Sequence, residues 1–166
     1  KNVQLVSLKK DQAFKIGESQ LIPLHPDHNE SLEENNRRDE NSRRVVNDLS
    51  LVLRLEYQNF TMLFTGDIGN KVEEELVESY PDLKVDILKG PHHGSRFSNS
   101  ESFIETIRPD AVVFSSGYLN RMKHPHPETL NRYKSSGVNI YRTDLNGAVQ
   151  IISNGQKYAI RTHEGL

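Results

Sequence analysis

The chain of 166 residues contains no cysteine and no tryptophan. The missing cysteine rules out a disulfide framework and any thiolate metal site. It leaves the compartment open, because a cysteine-free domain survives inside or outside the cytoplasm. There is no apolar run near the roughly 18 residues of a membrane span, and no signal-peptide pattern at the start. Neither charge dominates: 21 basic and 23 acidic residues give a formal net charge of −2. That balance lacks the basic excess of a typical nucleic-acid binder, although a local patch or a bound metal ion could still attract a polyanion. The length fits one domain with a core of its own. The strand-like opening Lys1-Asn2-Val3 has no methionine and is read as part of a longer protein.

Apolar periodicity gives the elements. Val3–Leu8 and Gln20–Leu24 read as short strands. Residues 27–46 carry six acidic and four basic side chains and almost nothing apolar, so they read as a charged, flexible surface loop. Residues 50–57 alternate and are followed by the turn Gln58-Asn59 and a second strand, Phe60–Thr65, which predicts a β-hairpin. Helical spacing follows over 69–80, then a strand at Val85–Leu88. A helix capped by Asn99 or Ser100 buries Phe103, Ile104 and Ile107 and stops near Pro109. Ala111–Ser115 is a strand, Pro127–Ser136 a helix with proline near its start, and Val138–Tyr141 a strand. Gly147–Ile152 and Lys157–Arg161 close a last hairpin around Asn154-Gly155. The order, hairpin then βαβαβαβ then hairpin, predicts a layered α/β domain with a mixed sheet.

Six of the seven histidines come in close pairs, and two of the pairs sit at strand ends beside glycine and proline. Loops at strand ends carry function in α/β folds. Asp67 follows a strand and Gly66; it reads equally as the N-cap of the next helix or as a metal-bridging carboxylate. His92-His93 lies in Gly90-Pro91-His92-His93-Gly94-Ser95. On an extended segment the two rings point to opposite sides, so one is a ligand and the other touches substrate or supports it. Gly94 permits close approach and Ser95 can donate to an anion. His124-Pro125-His126-Pro127 reads as a rigid helix entry or as a general acid or phosphate contact, with Asn120 as a nearby amide donor. Lys89 is a solvated strand end or a cation facing phosphate. Arg142-Thr143-Asp144 reads as a structural turn, the His25/His28 pair as surface, and His163 as tail.

Taken in order, Leu63-Phe64-Thr65-Gly66-Asp67, then Asp86 to Ser95, then Asn120 with His124-Pro125, then Tyr141 to Ala148 resemble the metallo-β-lactamase-like domain of the ComEC family of DNA-uptake competence proteins. The match runs from about Ser50 to Ile152, with Asn47 joining more loosely. The resemblance implies a partial αββα sandwich, a mixed sheet with flanking helices, over residues 1–166 as the C-terminal part of such a domain. It makes Asp67 and His93, or His92, metal ligands. It puts His92, His124, Asn120 and Lys89 in catalytic positions and Ser95 and Asn47 near substrate. Two divalent ions, zinc or manganese, are implied for the intact domain. So are DNA as substrate, single-stranded or the strand not taken up, a ComEC-like membrane channel and other competence proteins as partners, and a place outside the cytoplasm.

The superfamily's His-x-His-x-Asp-His motif does not occur in this sequence. It is expected upstream, so the isolated chain is expected to bind metal weakly and to be inactive by itself. The rival readings are hydrolysis of a small phosphodiester or lactone, a non-catalytic DNA-guiding or interaction domain, and a structural α/β domain with incidental histidines.

Overall fold

A computed structural model describes residues 9–27 and 46–163. The expected strand at Val3–Leu8, His28 and nearly all of the charged segment 27–46 lie outside the described residues. Seven strands form one sheet in strict chain order. They are β1 (Phe14–Ile16), β2 (Ser19–His25), β3 (Val52–Tyr57), β4 (Phe60–Phe64), β5 (Ile87–Lys89), β6 (Ala111–Phe114) and β7 (Asn139–Arg142). The first four run antiparallel; β4 to β7 run parallel. The parallel half needs crossovers, and α1 (Asn70–Ser79), α2 (Glu101–Ile107) and α3 (Pro127–Ser135) supply them.

Side-chain alternation divides the sheet into two faces. Leu63, Leu88, Val112 and Phe114 point to the helices and join Val72, Leu76, Phe103, Ile104 and Tyr133 in the larger core. Their neighbours Met62, Ile87, Ala111 and Val113 point the other way. There a second hairpin, β8 (Ala148–Ser153) with β9 (Tyr158–His163), covers them with Val149, Ile151 and Ile160. Strands buried on both faces read as nearly continuous apolar runs, which is why Ala111–Phe114 has no polar residue. Each such buried aliphatic side chain contributes about 1.5–3 kcal/mol. The layers are thus helices, a seven-stranded mixed sheet and a two-stranded sheet.

The helix ends follow the sequence signals. Ser100 caps α2 by accepting the Phe103 N–H, and Arg108 ends it in the left-handed region. His126 caps α3, with Pro127 in its first turn. The cap of α1 is Gly69, with no side-chain bond, so Asp67 is not the helix cap that one reading made it. No helix of the described residues is long and apolar enough to cross a membrane.

Candidate metal and phosphate site

Parallel neighbours in chain order bring the loops after β4, β5, β6 and β7 side by side at one end of the sheet. Those loops carry Asp67, His92-His93, the segment Ser115–His124, and Thr143. Backbone bonds stitch them together. The His92 N–H donates to the Gly66 carbonyl at 3.0 Å, and the His126 N–H donates to the Gly94 carbonyl at 2.8 Å.

Glycine is required at two of these joints. Gly66 has φ +57, and a Cβ there would lie 2.8 Å from Ser50 Cβ. Ser50 uses that closeness to accept the Asp67 N–H at 3.1 Å, which fixes the carboxylate's backbone. Gly94 has φ +85, and a Cβ would lie 2.5 Å from Pro125 Cβ. The loop after β6 therefore packs directly on the histidine turn.

Pro91–Gly94 forms a 3-10 turn in which His92 (φ 46) and His93 (φ 55) both adopt left-handed backbone. The expectation of an extended segment with rings on opposite sides is overturned. A tight turn closed by the Ser95 N–H to the His92 carbonyl keeps the two ring centroids 6.4 Å apart. Non-glycine residues in that region cost about 1–2 kcal/mol each, and such strain collects at functional sites.

His93 bridges the site. Its Nδ1 donates to the Ser115 carbonyl at 2.7 Å, since a carbonyl can only accept. Its Nε2 lies 3.4 Å from Asp67 Oδ1. A neutral ring anchored in this way turns the Nε2 lone pair toward a carboxylate oxygen. Two acceptors so placed need a proton or a cation between them. An imidazole held through its other N–H by a backbone carbonyl is also how metal-ligating histidines are commonly oriented.

His92 stacks edge-on with His124, ring centroids 5.9 Å apart. Burial, then the neighbouring imidazoles of His92, His93 and His126, hold His124 below the ordinary imidazole range. The Asn120 side chain accepts the His124 N–H at 2.8 Å and donates to its carbonyl at 2.6 Å, clamping that residue's backbone. Lys89 ends β5 half-buried; burial lowers its ammonium and the Asp67 carboxylate opposes the shift.

Two cavities meet at the histidine turn. One, of about 270 Å³, is lined by Asn47, Asp48, Asp67, Asn70, Lys71 and His92 among others. The second, of about 460 Å³, includes His93, Ser116, Asn120, Met122, His124 and Thr143 in its walls. Ser116 and Thr143 are fixed from below: the Ser116 N–H donates to Thr143 Oγ1 and the Ser116 hydroxyl to Asp144. Burial disfavours the charge on Asp144, but the Arg142 guanidinium, at 3.0 and 2.5 Å, outweighs it and holds the carboxyl below the usual range.

Asp67, His92, His93, His124, Asn120, Lys89 and Asn47 thus gather at this end of the sheet. Ser95 does not face either cavity. It is buried, its hydroxyl accepts the Phe97 N–H, and its carbonyl accepts from Asn99 and Thr129. That is a wall position behind the turn. His25, expected at the surface, is only 5% exposed, and its Nε2 donates to the Asp48 carbonyl at 2.6 Å. Sequence reading missed Asp48, whose carboxylate shares a cavity with Asp67. It lies at the edge of an acidic, apolar-poor stretch where one more acid carries no signal.

Among the described residues no group of three or more histidine, aspartate or glutamate side chains is arranged to hold a metal ion. The oriented pair Asp67 and His93 offers two donors where about four are needed. These residues alone do not complete a metal site.

No protein-family model matches the chain. It is 31% identical over 148 residues to ComE operon protein 3 of Bacillus subtilis, an alignment covering 89% of this chain and 18% of that protein. It is 42% identical over 105 residues to competence protein ComA of Neisseria gonorrhoeae, covering 63% and 15%. It is 36% identical over 111 residues to recombination protein 2 of Haemophilus influenzae, covering 65% and 14%. The chain therefore spans less than a fifth of the length of these relatives. Among solved structures, one from Parabacteroides distasonis whose name assigns it as a metal-dependent hydrolase superposes with a TM-score of 0.50 at 14% identity. The superposition covers 83% of this chain and 57% of that one.

Proposed function

Because the chain is a ComEC-like domain of metallo-β-lactamase type, we propose that it carries the later part of a metal-dependent phosphodiesterase site. That site would act on DNA during uptake for transformation. The observation that carries the reading is the facing pair Asp67 and His93, with His93 oriented by Ser115 so that its Nε2 lies 3.4 Å from the carboxylate. In this proposal Asp67 and His93 are ligands of a divalent ion, zinc or manganese. The donors these residues lack would come from outside the described residues, and two ions would occupy the complete domain.

The chain's own contributions can be derived without that ion. His92, in the wall of one cavity, and His124, in the wall of the other, pair their rings where a phosphodiester would lie between them. The environment of His124 favours its neutral form, which is able to take up or pass on a proton near an oxygen of the ester. Asn120 holds the His124 backbone in place. Lys89, half-buried, acts electrostatically on Asp67, and Asn47 and Asp48 wall the Asp67 cavity. Attachment to a membrane channel, contact with other competence proteins and a position outside the cytoplasm belong to the same proposal.

The incomplete donor set supports one alternative, a non-catalytic domain that guides DNA. The assay is DNA cleavage by the full-length protein with Mn²⁺ or Zn²⁺. Cleavage that disappears in Asp67→Ala is the expected result. Absence of cleavage, together with unchanged DNA uptake in Asp67→Ala cells, rejects the enzyme reading in favour of the guide. Turnover of a small chromogenic phosphodiester with no action on DNA would point to a small-molecule hydrolase.

A further inference from the structure

The loop between β6 and α3 differs from its neighbours at this end of the sheet. Tyr118, Leu119 and Met122 are 76%, 83% and 72% exposed. Three large apolar side chains in water within five residues do nothing for folding, and such clusters mark interaction sites. The loop is nonetheless tightly built. The Asn120 side chain donates to the Gly117 carbonyl at 3.0 Å and to the His124 carbonyl at 2.6 Å. The Lys123 N–H closes back on the Asn120 carbonyl at 3.0 Å. Leu119 and Lys123 hold φ of 50 and 55. Arg121 and Lys123 stand exposed among the apolar residues, and neither makes an ion pair among the described residues. Gly117, Asn120 and Met122 from this loop wall the cavity that also contains His93 and His124. An aromatic ring and two exposed cations therefore belong to the loop at the mouth of the histidine cavity.

We propose that the loop Gly117–Lys123 grips a single nucleic-acid strand, with Tyr118 stacking on a base and Arg121 and Lys123 meeting the flanking phosphates. The choice of DNA, and the expectation of a single strand, rest on the functional reading above; the loop supplies the residues that would hold it. A base offers a flat apolar face only when it is unpaired, and a stacked base with its phosphates needs an aromatic surface beside positive charge. A rigid loop presents both with little ordering cost. Apolar residues mixed with basic ones also suit a lipid surface. The clamp to His124 favours the strand, because a bilayer lying on this loop would close the cavity it borders.

The test uses the full chain with three probes: a short fluorescent oligothymidine, a duplex of equal length, and vesicles of phosphatidylglycerol and phosphatidylcholine. The oligothymidine is expected to bind more tightly than the duplex. Tyr118→Ala should weaken it about tenfold, within the range for loss of one stacked base, and Tyr118→Phe should restore it. Arg121→Gln with Lys123→Gln should reduce the slope of log affinity against log salt by about 1.4, from two phosphates lost. Circular dichroism should not change, given the exposure of Tyr118. Wild-type strand affinity in Tyr118→Ala, no strand binding by the wild type, or a Tyr118-dependent affinity for vesicles alone overturns the proposal. If Asp67→Ala abolishes DNA cleavage while Tyr118→Ala binds normally, only the gripping loop is wrong. If cleavage is absent but Tyr118-dependent strand binding persists, the hydrolase reading fails and the loop stands.

Discussion

The two cavities on either side of the His92-His93 turn differ in what lines them. On one side stand the carboxylates of Asp67 and Asp48, with the ammonium of Lys71 in the same wall. On the other are hydroxyls, an amide and two imidazoles, with Arg121 and Lys123 in the bordering loop. At distances of a few ångströms, like charges repel by several kcal/mol in a medium of intermediate dielectric. Those carboxylates disfavour a phosphate in the first cavity except where Lys71 or a bound cation offsets them, and nothing of that sign lines the second. On the two proposals above, the cation would belong to the first cavity and the anionic strand to the loop beside the second.

The largest effect should come from removing the acid. In the full-length protein Asp67→Ala should lower metal-dependent cleavage by at least about 100-fold, while strand affinity measured without metal stays the same or rises. A parallel fall in both would mean that the cavities are not separable. Next is Gly94→Ala, which drives a methyl into Pro125 and forces a left-handed alanine. It should cost about 2 kcal/mol in urea unfolding and damage both sides, because the loop carrying His124 rests on that glycine.

Glu73→Gln acts from behind the histidine turn. The buried Glu73 carboxylate accepts the N–H groups of Asn99 and of Ser100, the latter at 2.8 Å, and so pins the segment after the histidine turn to α1. An amide can satisfy one of the two donors, so a loss of about 1.5 kcal/mol is expected. Burial raises this carboxyl above its ordinary 4.5 despite those bonds. The folded chain then holds the proton more firmly than the unfolded one. The resulting stabilisation is complete below pH 4.5 and is lost as pH rises through the raised value. Urea midpoints across that window should fall for the wild type relative to Glu73→Gln. The smallest effect belongs to Asn120→Ala, which unclamps the loop and should reduce strand affinity a few-fold, about 1 kcal/mol, with cleavage chemistry affected less than in Asp67→Ala.

Much of this arrangement was legible in the sequence where a repeat period or a cap announces it. The β3–β4 hairpin alternates, Ser100 and Pro127 mark helix starts, and the apolar run Ala111–Phe114 has the length of a doubly buried strand. The edge strand Phe14–Ile16 was not legible, since three exposed residues carry no period. The strand before the histidines starts at Ile87, not Val85, because Asp86 turns its carboxylate to the Thr61 N–H at 2.6 Å. Candidate ligands could be found because histidines, glycines and prolines cluster at strand ends. How they face one another could not. The left-handed turn at His92-His93 is imposed by Pro91, Gly94 and packing on Pro125. The burial of His25 depends on Asp48, 23 residues away along the chain.

The position of His93, with one nitrogen on Ser115 and the other toward Asp67, places a single ring in the path between both cavities. An occupant of either side that shifts the Pro91–Gly94 turn alters the ring's position for the other. Thermodynamic linkage then makes the influence mutual: whatever factor a cation contributes to strand affinity, the strand returns to cation affinity. The histidine turn would act as the beam of a balance, and a strand arriving at Tyr118 would change how firmly the opposite pan holds its ion.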